Sequence, residues 1–89
     1  MLQVKGFELE GTGGNCTALV ARTAKYEYII TDGNLCAPEA FPVVLSIYNG
    51  YSECVYCAII KDQETLDALQ ESPNESIEEY RKIAPEATK

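Results

Sequence analysis

There is no histidine in the 89 residues and no tryptophan, and methionine occurs once. Without His the commonest proton shuttle is missing, and Ser-His or Cys-His nucleophile pairs are excluded outright. Positive charge is scarce too: seven Lys and Arg stand against fourteen Asp and Glu, a net charge of -7. Phosphate recognition depends on clustered cations, so neither direct nucleic-acid binding nor attachment to an anionic membrane is expected. Nowhere does the chain approach the ~20 consecutive apolar residues of a membrane-spanning helix, and "MLQVKGFELEG" has no basic start followed by an apolar stretch. The composition predicts an unexported, cytoplasmic protein forming one small domain over residues 1–89.

What is there reads as α+β. "KGFELEG" sets Phe7 and Leu9 on one face and Glu8 and Glu10 on the other, the alternation of a half-buried strand, before "GTGGN" at 11–15 breaks it. "YEYIIT" alternates in the same way. The segment before it, "TALVART", reads as strand, with a short helix capped by Asn15 as the alternative. The strongest local signal is "PVVLSIYNGYSECVYCAII", two β-rich runs joined by Asn49-Gly50, a dipeptide suited to the two positive-φ positions of a type I′ turn. With those two as the loop, Tyr48 faces Tyr51, Leu45 faces Cys54 and Val43 faces Tyr56. Val43, Leu45, Ile47, Cys54 and Tyr56 then share one side of the sheet, and Val44, Ser46, Glu53, Val55 and Cys57 the other.

From residue 62 the period changes. Asp62 suits an N-cap, with Leu66 and Leu69 three apart behind it. Ser72-Pro73-Asn74-Glu75 has the form of a capping box for a second helix, striped by Ile77, Tyr80 and Ile83 or Ala84, braced by a Glu78–Lys82 pair and stopped by Pro85. The expected architecture is a mostly antiparallel sheet of four to five strands within residues 1–60, one or two short helices over about 62–84, and a frayed tail at 85–89.

Four cysteines, Cys16, Cys36, Cys54 and Cys57, raise the question of metal or redox chemistry. Cys54 and Cys57 have the spacing of a zinc knuckle, but residues three apart on a regular strand point to opposite faces, and only a bulge would let both reach one ion. The apolar neighbours Val55, Tyr56, Ala58 and Ile59 suit core-filling thiols better, so no metal is expected; a four-cysteine structural metal module is the alternative and a thiol redox protein the third reading. "EGTGGNC" lacks phosphate-loop spacing and reads as a hairpin loop that uses Gly for positive φ. Among the carboxylates, Asp32, Glu39 and Glu53 lie near predicted loops or on the sheet, and nothing in the spacing pairs them. Neither an enzyme nor a bound cofactor is expected.

Binding has better support. The first 60 residues hold six acids and three bases, the remaining 29 eight and four. Glu64, Asp67 and Glu71 fall on one face at helical spacing, continued by Glu75, Glu78 and Glu79, a row able to meet a basic protein surface. Six tyrosines include Tyr48 and Tyr51, read either as contact residues or as a cross-strand staple. An uncovered strand edge would equally serve a homodimer.

On "GFELEGTGGNCTALVA", "YEYIITDGN" and "VVLSIYN", residues 7–60 resemble small proteins of unassigned role encoded by bacteriophages and their bacterial hosts. The resemblance implies a context, that of a phage accessory protein engaging a host protein in the bacterial cytoplasm. It carries over no catalytic residue.

Overall fold

The structure, a computed structural model, describes residues 4–13, 16–32, 38, 40–71 and 76–86, without the side chains of Thr12, Gly13 and Cys16. Five strands, β1 (Glu8–Gly13), β2 (Cys16–Arg22), β3 (Glu27–Thr31), β4 (Val43–Tyr48) and β5 (Cys54–Ile60), form one antiparallel sheet in sequence order. Two helices follow, α1 (Gln63–Gln70) and α2 (Ile77–Ile83). The architecture is the expected α+β, and the 16–22 segment is strand.

Alternation decides what is buried. Leu19, Ile30, Leu45 and Ala58 form one rung across β2 to β5, and Ala21, Tyr28, Ile47 and Tyr56 the next. These residues face the helices, and Leu66, Leu69 and Tyr80 close the core over them. Ile30, Ile47 and Ile60 are sealed from solvent. Burying a side chain of this size contributes about 1.5–3 kcal/mol, which is what holds helices this short in place. The opposite face carries Val20, Ile29, Ser46 and Cys57 in one row and Arg22, Glu27, Tyr48 and Cys54 in another.

Local chemistry sets the connections. Thr23 Oγ1 accepts the Lys25 and Tyr26 N–H groups at 3.3 and 3.1 Å and tightens the turn between β2 and β3. Asp62 caps α1 by accepting the Thr65 N–H at 2.8 Å, as its sequence position suggests. Hydrogen bonds from Thr65, that of its side chain first and then this N–H, hold the Asp62 carboxyl below its usual range.

Several expectations are corrected. β1 does not stop at Gly11 but runs on to Gly13, with an irregularity between Gly11 and Gly13, because the ladder to β2 continues through Gly11 opposite Thr17. Helix α2 is capped by Ser76, whose Oγ accepts the Glu79 N–H at 3.4 Å; the Ser72–Glu75 capping box lies outside the described residues. Lys82 pairs with Glu79 at 3.3 Å, one step closer than Glu78.

The β4–β5 connection departs most. Asn49 and Glu53 close it, the Asn49 N–H donating to the Glu53 carbonyl at 3.0 Å, and the loop between them is Gly50-Tyr51-Ser52. The Asn49 side-chain carbonyl accepts both the Tyr51 N–H at 2.8 Å and the Glu53 N–H at 3.0 Å. This wider loop satisfies two donors that a two-residue turn would leave to water. The positive φ falls on Ser52, at 62°, while Gly50 stays outside the left-handed region. Hence Leu45 pairs with Ala58, Val43 with Ile60, and Tyr48 with Cys54 in place of Tyr51. A bulge between the Ile47 and Tyr48 pairings leaves Val55 as the extra residue.

Candidate binding cleft and surfaces

Ahead of β1 the chain turns at Gly6, whose φ of +84° favours a residue without a Cβ, and the Phe7 N–H closes the turn onto the Val4 carbonyl at 3.1 Å. The turn lays Val4 into the core and presents the Lys5 carbonyl to the Gln70 side-chain amide, which donates at 2.7 Å. The leading segment is thereby pinned to the last turn of α1. Between it, the sheet and the helices lies an open cleft of about 250 Å³.

The walls are apolar: Phe7, Tyr28 and Leu45 on one side, Leu66, Leu69 and Tyr80 on the other. Lys5, Thr23 and Gln70 supply polar groups at its margin. The two tyrosines meet edge to face, ring centroids 6.3 Å apart, with their hydroxyls at 3.1 Å. Tyr26 meets Tyr28 edge to face in turn, and Tyr56 meets Tyr80 in the same way. The Tyr56 hydroxyl donates to the carbonyls of Tyr80 and Ala84, tying the end of α2 to the sheet. Burial pushes the Tyr56 phenol up to about 12. Cofactor and drug-sized pockets start near 300 Å³, so this cleft suits a side chain better than a cofactor.

Helix α1 lines the cleft with Leu66 and Leu69 and turns Glu64, Asp67 and Glu71 outward, all three exposed. At about 100° per residue these acids span roughly 60° of the helix, starting beside Gln70 at the cleft margin. The predicted acidic row and the cleft therefore adjoin. Glu78 and Glu79 sit on α2, and Glu75 lies outside the described residues.

The bulge at Val55 changes the thiol geometry. Cys54 pairs with Tyr48 and Cys57 with Ser46, two positions on the same side of β4, so both thiols occupy the outer face and Cys54 leaves the core face assigned to it. Cys54 is exposed and donates to the Tyr56 carbonyl at 3.4 Å, and Cys57 accepts from Ser46 Oγ at 3.7 Å. Burial first, then the nearby Cys54, Cys57 and Glu27, raises the Tyr48 phenol. Among the described residues no group of three or more Cys, Asp and Glu is placed to hold a metal. Cys36 and the Cys16 side chain lie outside them. Tyr51 is no cross-strand partner; it stands 86 % exposed at the hairpin tip.

Two features have no counterpart in the sequence expectations. Gly6 and Gln70 shape the cleft, and a lone Gly before a strand is the one signal that pointed there. Arg22 joins three strands on the outer face, gripping Glu10 with two bonds of 2.6 and 2.9 Å and Glu27 with one of 2.7 Å. The guanidinium hydrogen bonds hold the Glu10 carboxyl below its usual range.

No helix among the described residues is long and apolar enough to cross a membrane. Comparison with known proteins returns no match: no protein-family model fits the chain, and neither a curated protein nor a solved structure resembles it.

Proposed function

We propose that the protein is a binding module with no reaction of its own, taking an apolar side chain of another protein into the cleft while Lys or Arg beside that anchor meets Glu64, Asp67 and Glu71. The observation that carries this is the adjacency of the apolar cleft and the acidic side of α1. An anchor supplies buried area, and the charges select and orient it. Coulombic attraction between exposed groups is modest and screened by salt, so affinity comes chiefly from the cleft and selectivity from the acids. The sequence resemblance makes a host protein the kind of partner to expect.

The test is selection from a random peptide library displayed on phage, followed by titration of the winners. Selected peptides are expected to share a Leu or Phe flanked by Lys or Arg, to bind more weakly at high salt, and to shift amide resonances of Thr23, Tyr28, Leu69 and Gln70. The triple substitution Glu64→Lys, Asp67→Lys, Glu71→Lys is expected to abolish the basic preference. Ligands without a basic flank that bind the triple variant equally well sink the proposal.

A second reading is favoured by one observation, the bulge that brings Cys54 and Cys57 to one face. These thiols would begin a soft-metal site; the register sets Cys16 on β2, three strands from β5, so any further ligand would have to come from elsewhere than Cys16. Native mass spectrometry after incubation with zinc decides it: a bound ion lost in the Cys54→Ser variant supports the site, and unchanged mass removes it.

A further inference from the structure

We propose that Cys54 and Cys57 together hold one soft monovalent cation, Cu(I) in chemical type, as a two-coordinate dithiolate on the outer face of the sheet. The site rests on the thiol placement behind the second reading, is independent of the cleft, and needs no further ligand.

Register sets the spacing. Cys54 and Cys57 stand opposite Tyr48 and Ser46, two places apart on β4, because the bulge takes up Val55. Two steps along a strand separate Cα atoms by about 6.6–6.8 Å. A disulfide asks for Cα atoms about 4.4–6.8 Å apart, so this pair sits at the far limit of direct bonding. An ion between the sulfurs supplies the missing length: two thiolate–metal bonds, each about 2.3 Å for zinc, let the sulfurs stand up to ~4.6 Å apart. Each side chain then has only to lean toward the other. Cys54 already does so, its Sγ lying 3.4 Å from the carbonyl oxygen of Tyr56, in the peptide unit that joins Tyr56 to Cys57. Ser46 Oγ, donating to Cys57 Sγ at 3.7 Å, fixes the other sulfur to the same face. Tyr48 adjoins both: burial first, and then the two thiols and Glu27, raise its phenol.

Ligand number selects the ion. Among the described residues no group of three or more Cys, Asp and Glu is placed to hold a metal. Zinc takes four ligands in nearly every structural site, and two sulfurs would leave it half unligated. Thiolates favour soft ions, and Cu(I), with a filled d shell and a single charge, is satisfied by two sulfurs in line. Binding exchanges two thiol protons for one positive charge, so the protons pass to solvent and the site goes from neutral to one negative charge. Cys54 is exposed, which gives the ion an open approach.

The test titrates the reduced chain with Cu(I) under nitrogen against the chromophoric chelator bicinchoninate, with native mass spectrometry reading the stoichiometry. One ion per chain is expected. Cys54→Ser and Cys57→Ser should each lose it while keeping the wild-type circular dichroism spectrum, and the double variant Cys16→Ser, Cys36→Ser should retain it. Zinc in equal amount should not displace it. No uptake of Cu(I) or zinc overturns the proposal and the second reading together. An ion lost in the Cys16→Ser, Cys36→Ser variant overturns the two-sulfur site and leaves the second reading standing. An ion retained by both single variants, or one shared between two chains, also overturns the proposal.

Discussion

Replacing Tyr56 with Phe removes one oxygen from the junction of sheet and helix. The ring stays, so the cavity term that dominates most core truncations is absent. What goes is a hydroxyl on a residue 1 % exposed, donating to the Tyr80 and Ala84 carbonyls at the end of α2. The Tyr80 carbonyl keeps the Ala84 N–H at 2.8 Å, so its loss is partial. The Ala84 carbonyl loses its donor on a residue 6 % exposed, and an unsatisfied buried acceptor costs about 1–3 kcal/mol. We expect Tyr56→Phe to destabilise by about 1–2 kcal/mol at neutral pH, or ~5–15 °C in Tm for a domain of this size. Alkaline pH should erode this advantage. The folded phenol ionises near 12 whereas the unfolded one ionises near the ordinary value of about 10, so the contribution of the neutral hydroxyl is complete below pH ~10 and is lost as pH rises toward 12. That span is worth on the order of 2–3 kcal/mol, enough to cancel or reverse the difference between the two proteins. Urea titrations of both proteins from pH 7 to 11.5 measure it. A difference below ~0.3 kcal/mol at pH 7, or one constant across the range, refutes the reasoning.

The hairpin makes an opposed pair of predictions. Ser52→Gly should stabilise by about 0.5–1 kcal/mol by relieving a left-handed φ, while Gly50→Ala should be near neutral because no atom lies within 4 Å of the added Cβ; a type I′ turn would make Gly50→Ala costly, and urea midpoints separate the cases. Leu66→Ala, at a residue 1 % exposed, should cost about 2–5 kcal/mol in urea unfolding and loosen one wall of the cleft. Asp62→Ala should lower the helix content of α1 and the urea midpoint. The cap's contribution should be present above the ordinary carboxylate pKa and be lost as pH falls through the lowered folded value, so Asp62→Asn, which keeps an acceptor, should flatten the acid limb of the stability profile.

Period carried most of the fold into the sequence. Alternation in "FELE", "YEYIIT" and "VVLSIY" places each strand on the correct face, and the three-residue step from Leu66 to Leu69 behind Asp62 places α1. These signals are legible because burial acts on every residue of an element and errors at single positions average out. Cap and turn chemistry is different: it depends on single hydrogen bonds. Asn49-Gly50 carries the preferences of a type I′ turn, yet the Asn49 side chain captures two backbone N–H groups further along and moves the left-handed position to Ser52. The cap of α2 rests likewise on one bond, from the Glu79 N–H to Ser76 Oγ, while Ser72 lies outside the described residues.

The two misread local features are also the ones that decide the surface chemistry. Widening the loop moves the partner of Tyr48 by three residues, from Tyr51 to Cys54, and the bulge adds a fourth, so beyond it the shift is even and Val43, Leu45, Ile47 and Tyr56 keep the core face that alternation assigns them. The bulge adds an odd step and moves residues on the hairpin side of it across the sheet, carrying Cys54 from core to surface beside Cys57. The cleft escaped the sequence for another reason: its walls are contributed by the leading segment, the sheet and both helices, and residues as far apart as Lys5 and Gln70 meet through one hydrogen bond. No local period encodes that meeting. The acids of α1 were legible as a row, but only the packing of Leu66 and Leu69 against the sheet brings Gln70 to the margin of the apolar cleft, with Asp67 the nearest of the three acids round the helix.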